Sequence, residues 1–319
     1  MSPKSPIIVD LKFDPVTVAS ALAKAFPDRE AINLADPQTR DRDLSGIDYA
    51  VVWKPDTDLF ARAPDLKVIF SGGAGVDSIL AIPSLPQLPI VRFVDESLTT
   101  RMSEWVVLQC LSHLRQEAAY RRQQQARLWH ELPQPEAREV TVGIMGLGVL
   151  GQDAAAKLKT MGFEVIGWSR TKKVLDGIET FEASELGAFL ARTDILVGLL
   201  PLTPDTTGIF DAGLFAGLRQ GGALGKPVFI NAGRGKSQVE ADVIAALNDG
   251  ILGGASLDVF ETEPLSAASP LWDMENVVIT PHAAAASDVG ALFRHVETQI
   301  ARFEAGGGLQ HLVDHRTGY

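Results

Sequence analysis

Short apolar runs alternate with helical stretches along almost the whole chain. Runs at 7–11, 49–53, 67–70 and 90–93 are rich in Ile, Val and Phe and read as strands, and 31–33 adds a short one. Between the first two, the stretch 16–26 has a helical pattern. Strands separated by helices call for crossover connections and a parallel sheet. A long helix is predicted from near Met102, with Trp105, Leu108, Leu111 and Leu114 marking one apolar face. Beyond Tyr120 the pattern turns polar and basic as far as Trp129, and Pro133 and Pro135 punctuate a linker.

A second series starts at Val140. Its strand candidates are 140–145, 163–168, 195–200, 228–232, 255–258 and 277–280, most of them separated by helical segments. An amphipathic helix over 287–305 follows, and no solenoid-type repeat is present. The predicted fold class is α/β, with two Rossmann-like parallel-sheet domains, and 319 residues is an ordinary length for such a pair.

Composition narrows the partners. A formal charge of −11 disfavours nucleic acid and anionic membranes, which an acidic surface repels. It leaves room for a small anionic substrate, because a cleft can be locally positive. Cys110, the single cysteine, can form no intrachain disulfide, and its apolar neighbours mark it as a buried small hydrophobe. No apolar run reaches the roughly 20 residues of a membrane span, and the apolar start at Ile7 is cut off by Asp10. A soluble cytoplasmic protein with no metal site is expected.

The most specific motif is Gly146-Leu-Gly148-Val149-Leu150-Gly151, which follows one predicted strand and opens a helix. The first glycine of Gly-x-Gly-x-x-Gly permits a tight turn and the second lets a pyrophosphate approach the backbone. The third brings helix and strand close together. The helix N-terminus then offers N–H groups and partial positive charge to phosphates. A packing turn alone would explain one glycine, not three at this spacing. At the end of the next strand an NAD site places Asp or Glu for the ribose diol. Here the residues are Ser169-Arg170-Thr171-Lys172-Lys173. Hydroxyls and cations suit a 2′-phosphate, so NADPH is expected, with NADH weaker. A solvated basic turn is the plainer alternative.

Three later segments end predicted strands with chemistry-bearing residues: Asn231-Ala-Gly-Arg234-Gly235, Asp258-Val-Phe-Glu-Thr-Glu263-Pro264 and Thr280-Pro281-His282. Open α/β sheets bind ligands at that end. Taken singly, Arg234 also reads as a surface arginine, Glu263 as a loop carboxylate and His282 as an ordinary polar residue. Together with the glycine motif, the chain resembles the D-isomer-specific 2-hydroxyacid dehydrogenases over nearly its full length. Ser71-Gly72-Gly73-Ala74-Gly75-Val76-Asp77 looks like that family's substrate-carboxylate loop. Trp53, Gly148–Gly151, Trp168-Ser169-Arg170 and the ending Val313–Tyr319 are similar to the glyoxylate/hydroxypyruvate reductase subgroup.

The resemblance implies NADPH-dependent reduction of small 2-keto acids such as glyoxylate and hydroxypyruvate. His282 would give the proton to the carbonyl oxygen as hydride arrives at carbon. Glu263 would hold the imidazole and favour its proton-donating form. Arg234 would grip the carboxylate and polarise the carbonyl. Backbone N–H groups of Gly73, Ala74 and Gly75, with Trp53 nearby, would complete the substrate site. Trp53 reads equally well as a core tryptophan. Val149, Leu150, Pro201, Thr206 and Asp258 would join the cofactor site, Asp258 at the nicotinamide carboxamide.

The implied organisation is a discontinuous substrate domain, 1–100 and 286–319, around a cofactor domain at 101–285, with hinges near Thr100 and Ala285. A homodimer is implied, with Trp129 at its interface. Two positions depart from the family pattern: Gly233, where alanine is commoner, and the long stretch 221–227. Rival readings are another dehydrogenase of this fold, such as a phosphoglycerate or formate dehydrogenase, and a non-catalytic dinucleotide sensor.

Overall fold

The computed structural model describes residues 4–315; Arg316–Tyr319, part of the ending noted above, lie outside the described residues. The chain divides into two compact units, Met1–Leu98 with Ser287–Tyr319, and Thr99–Ala286. Each is built on its own parallel sheet, as the alternating pattern requires. Among the described residues no helix is long and apolar enough to cross a membrane.

The first unit carries β1 (Ile7–Leu11), β2 (Ala31–Asn33), β3 (Tyr49–Trp53), β4 (Val68–Ser71) and β5 (Ile90–Val91) in the order β2-β1-β3-β4-β5. All neighbours are parallel. Ile8, Ala50, Val52 and Ile69 fill one side of the sheet with Leu59, Phe60 and Ile79. The helix Pro15–Ala25 starts where Asp14 accepts the Thr17 N–H at 2.8 Å, with Pro15 pre-set for the first turn. Asp288 caps the helix Val289–Glu304 in the same way. The ring of Phe293 on that helix meets Phe26 edge-on at 5.9 Å, which ties the last helix to the first.

The second unit carries β6 (Thr141–Met145), β7 (Glu164–Trp168), β8 (Glu179–Phe181), β9 (Ile195–Gly198), β10 (Val228–Asn231), β11 (Gly254–Leu257) and β12 (Val277–Ile279). Their order is β12-β11-β10-β9-β6-β7-β8. Strand order reverses between β6 and β9, which opens a crevice outside their carboxyl ends. β8 is the strand that the sequence pattern misses, because three residues with one exposed carry no readable period.

The helix predicted from Met102 runs over Glu96–Leu114 instead. Its apolar face also differs. Leu108 is 56% exposed, while Met102, Trp105, Val106, Cys110 and Leu114 are buried. A strict three-residue repeat walks backwards around a helix of 3.6 residues per turn, so the buried stripe follows mixed steps of three and four. Cys110 is buried, as its neighbours imply, and burial pushes its thiol pKa upward. The basic stretch is a separate helix, Glu117–Gln125, begun by Gln116 in the left-handed region (φ 57°) and burying no side chain. The stretch 221–227 closes on itself. Gly221 and Gly225 take positive φ, and their backbones bond at 2.9 Å.

Candidate active site

The candidate site of the second unit lies in the loops that follow the neighbouring strands β10, β11 and β12. His282 follows β12 in a left-handed conformation (φ 53°), held by its own N–H to the Asp258 carbonyl oxygen at 2.8 Å. Its Nδ1 lies 3.0 and 2.9 Å from the two carboxylate oxygens of Glu263. The pair is partly open, with side-chain exposures of 35% and 24%. Because Nδ1 is committed to the carboxylate, Nε2 is the nitrogen that can face a reactant.

Asp258 is buried, and its carboxylate draws in the backbone after His282. Oδ1 accepts from Thr280 Oγ1 at 2.6 Å, from Ala283 N at 2.8 Å and from Ala284 N at 3.0 Å. With Oδ1 so occupied, only Oδ2, which shares the Ala284 N–H at 3.1 Å, has capacity for the carboxamide contact expected of Asp258.

Arg234 leaves β10 through a turn shaped by Asn231, whose Oδ1 accepts Gly233 N at 3.0 Å and whose Nδ2 donates to Arg234 O at 3.2 Å. Nη1 of Arg234 donates to Gly233 O at 2.8 Å, and the residue is half-buried. Glycine at 233 has a local cause. A Cβ there would stand 2.9 Å from the carbonyl oxygen of Leu200 and 3.0 Å from its nitrogen.

The glycine loop after β6 fits a dinucleotide. Gly146 takes φ 111°, and a Cβ on it would meet Leu199 O at 2.5 Å. A Cβ on Gly151 would meet Gly146 O at 1.9 Å. These two glycines are demanded by the protein itself. A Cβ on Gly148 would meet nothing within 4 Å, so no packing inside the chain requires glycine there, and its open backbone suits the approach of a pyrophosphate. Val149 and Leu150 begin the helix Val149–Thr160, and Gly148 caps it with no side chain on its first N–H groups.

The turn after β7 sorts its polar residues. Lys172 pairs with Glu185 at 3.0 Å, and Lys173 Nζ donates to Leu147 O at 2.7 Å inside the glycine loop. The single hydroxyl hydrogen of Ser169 goes to Thr171 O at 2.8 Å. Ser169 therefore shapes the turn in place of the outward donor expected of it, while Arg170 and Thr171 are exposed. Thr206 is likewise turned inward. Its hydroxyl donates to Pro201 O at 2.6 Å and accepts Thr203 N at 2.8 Å, which braces the loop after β9.

In the first unit, Trp53 ends β3 with its ring against the loop after β4, where a Cβ on Gly73 would meet ring carbons at 2.5 Å. Ser71 Oγ donates to Gly75 O at 2.9 Å and receives Gly73 N at 3.3 Å. Among the described residues no backbone acceptor meets the N–H groups of Ala74 and Gly75.

Residues 107–284 match the family model "D-isomer specific 2-hydroxyacid dehydrogenase, NAD binding domain". The chain belongs to this family. It is 67% identical, over 99% of this chain and 100% of the other, to a solved NADPH-dependent glyoxylate/hydroxypyruvate reductase from Sinorhizobium meliloti in complex with NADP and sulfate, with a TM-score of 0.97. A probable 2-hydroxyacid dehydrogenase from Rhizobium etli CFN 42, in complex with NADP, HEPES and L(+)-tartaric acid, is 65% identical over 99% of this chain and 100% of that one, with a TM-score of 0.95. A D-isomer specific 2-hydroxyacid dehydrogenase from Xanthobacter autotrophicus Py2, in complex with NADPH and MES, is 38% identical over 99% of each chain, with a TM-score of 0.92.

In this 2-hydroxyacid dehydrogenase the fold brings His282 to Glu263 and supplies the groups that hold their loops. Gln238, Ser237 and the anchoring role of Asp258 emerge only in the fold. Nothing about Gln238 in the sequence signals that its amide is buried.

Proposed function

We propose that the protein is an NADPH-dependent reductase of small 2-keto acids, glyoxylate and hydroxypyruvate among them. The observation that carries this reading is the His282–Glu263 pair after β12 and β11, with Arg234 after the adjoining β10, in the unit that bears the glycine cradle. Bound along that cradle, NADPH supplies hydride to the substrate carbonyl carbon. His282 delivers the proton to the carbonyl oxygen from Nε2, and Glu263 holds Nδ1 and so fixes the orientation of the ring. Arg234 draws the substrate carboxylate and polarises the carbonyl, stabilising negative charge as it grows on oxygen. Asp258 fixes the His282 backbone. In the first unit, the loop of Gly73, Ala74 and Gly75 carries backbone N–H groups suited to a carboxylate, and the Trp53 ring packs against it.

Arg170 reads the 2′-phosphate, with Thr171 beside it, and NADH is the weaker cofactor. The absence of a carboxylate at the end of β7 supports this preference. Met1–Leu98 with the last helix forms the substrate domain, and Thr99–Ala286 the cofactor domain. The protein acts in the cytoplasm as a homodimer, and Trp129, fully exposed in the single chain, supports a role at the interface.

The test is oxidation of NADPH with glyoxylate and hydroxypyruvate, in wild type and His282→Ala. Wild-type turnover that falls roughly 10²–10⁴-fold in the variant, with NADP binding intact, is expected. Absence of turnover in wild type on a panel of 2-keto acids would instead mark a dinucleotide sensor.

A further inference from the structure

The loops that carry Arg234 and Glu263 are joined by one buried side chain. Gln238 is 1% exposed and uses both ends of its amide. Oε1 accepts from Asn231 Nδ2 at 2.9 Å, and Nε2 donates to the carbonyl oxygen of Val259 at 3.2 Å. A backbone carbonyl only accepts and an amide nitrogen only donates, so the orientation of the Gln238 amide is dictated by its partners.

Both partners lead to reacting groups. The Asn231 amide that Gln238 holds is the one that grips Gly233 N and Arg234 O. Ser237 Oγ, next to Gln238, donates to the same Arg234 carbonyl. Val259 lies between Asp258, which anchors His282, and Phe260, whose N–H points to Glu263 Oε1 at 3.4 Å. Backbone packs directly on backbone between the two loops, since a Cβ on Gly235 would stand 1.9 Å from Phe260 O. An apolar residue of equal size would fill the space yet leave Val259 O without its donor and Asn231 Nδ2 without one of its two acceptors.

We infer that Gln238 is a positioning residue for the reduction, setting Arg234 against the Glu263–His282 pair by bridging Asn231 and Val259. The inference rests on the assignment of Arg234 as the substrate-binding cation. It concerns the spacing of groups that act together on one substrate, so its loss touches keto-acid turnover and spares the glycine loop.

The experiment is a double-mutant cycle of Gln238→Leu with Arg234→Lys, read as kcat and KM for glyoxylate at saturating NADPH. NADP affinity by fluorescence titration and thermal stability are measured beside it. Gln238→Leu is expected to lower kcat/KM by roughly tenfold or more, through both a lower kcat and a higher KM. Affinity for NADP should stay within about twofold. In the Arg234→Lys background the same change should cost less than about twofold, because the group it positions is already impaired. Gln238→Glu keeps the volume and the Asn231 bond but replaces the donor to Val259 with an acceptor and adds a buried charge. It turns a carboxylate oxygen toward the Val259 carbonyl oxygen in a buried site, so it should repeat the pattern at least as strongly. Gln238→Met, which keeps the size without either bond, serves if the leucine variant fails to fold. Equal costs in both backgrounds, or lowered stability with unchanged kinetics, would reduce Gln238 to packing. If Arg234→Lys alone leaves kcat/KM unchanged, the assignment of Arg234 falls and the inference with it. A costly Arg234→Lys beside silent Gln238 variants overturns the inference alone.

Discussion

The carbonyl oxygen of Asp258 accepts the N–H of His282 at 2.8 Å, while its carboxylate gathers the next two backbone N–H groups of the same turn. His282 sits at φ 53°, a conformation that a residue with a Cβ adopts only when its surroundings impose it. The buried anion supplies that constraint. Hydrogen bonds to charged groups contribute roughly 1.5–3 kcal/mol each, enough to hold one strained residue.

Asp258→Asn removes the charge and puts an N–H₂ group in place of Oδ2, against the Ala284 N–H that Oδ2 shares. It is expected to lower kcat for keto-acid reduction about tenfold or more, together with a lower Tm. Titration with NADP separates this effect from cofactor contact. Wild-type kcat in the variant would show that the His282 turn does not depend on the carboxylate.

Cofactor choice is expected to depend on Arg170. Arg170→Ala should raise the KM for NADPH roughly 10- to 150-fold, the worth of one charge-assisted bond, and leave NADH kinetics nearly unchanged. Lys172→Ala should change little, since its ammonium is already paired with Glu185 at the surface. Comparing kcat/KM for both cofactors decides this. A wild-type preference for NADH would refute the reading of the turn.

A half-buried histidine makes stability depend on pH. His113 Nε2 lies 2.9 Å from Ser256 Oγ, and that hydroxyl donates onward to Gln109 Oε1 at 2.9 Å. The hydroxyl must therefore accept from Nε2–H, so the neutral ring carries its proton there. Burial lowers the His113 pKa from 6.5 to about 4. Above the unfolded value both states are neutral and the full stability is present. As pH falls from 6.5 to about 4, only the unfolded chain takes up the proton, and stability is lost by at most about 3 kcal/mol. His113→Gln, which keeps a donor for Ser256, should flatten the pH dependence of Tm across this window relative to wild type. Parallel Tm curves for the two proteins would mean that His113 does not titrate as its burial requires.

Trp129 is 101% exposed in the single chain, and its neighbour Leu128 is 56% exposed. Aromatic anchors of this kind carry much of an interface's energy. Trp129→Ala is expected to weaken self-association about tenfold or more, read by sedimentation equilibrium, or to raise KM for the keto acid. Sedimentation and kinetics that both match wild type would leave Trp129 without a role in assembly.

Local pattern carries the alternation of strand and helix, the parallel class of both sheets and the residue types of the candidate site. Each is written in local pattern: period in 140–145 and 163–168, spacing in Gly146–Gly151, and residue type in Arg234, Glu263 and His282. Boundaries held to within a few residues where an apolar run was long. They failed at Glu179–Phe181, where three residues carry no period, and on the helix Glu96–Leu114, where a repeat of three concealed the true buried stripe. Tertiary structure alone decided what each polar atom does. Ser169 reads as an outward donor from its type and Thr206 is placed at the cofactor site by the resemblance, but each has one hydroxyl hydrogen and spends it on a nearby carbonyl. Asp258 and Gln238 hold the site together through partners 20 or more positions away in the chain, at Ala283, Ala284 and Val259. A hydrogen bond is directional and a few ångströms long, so its partner is set by how the strand ends are brought side by side. No local pattern encodes that.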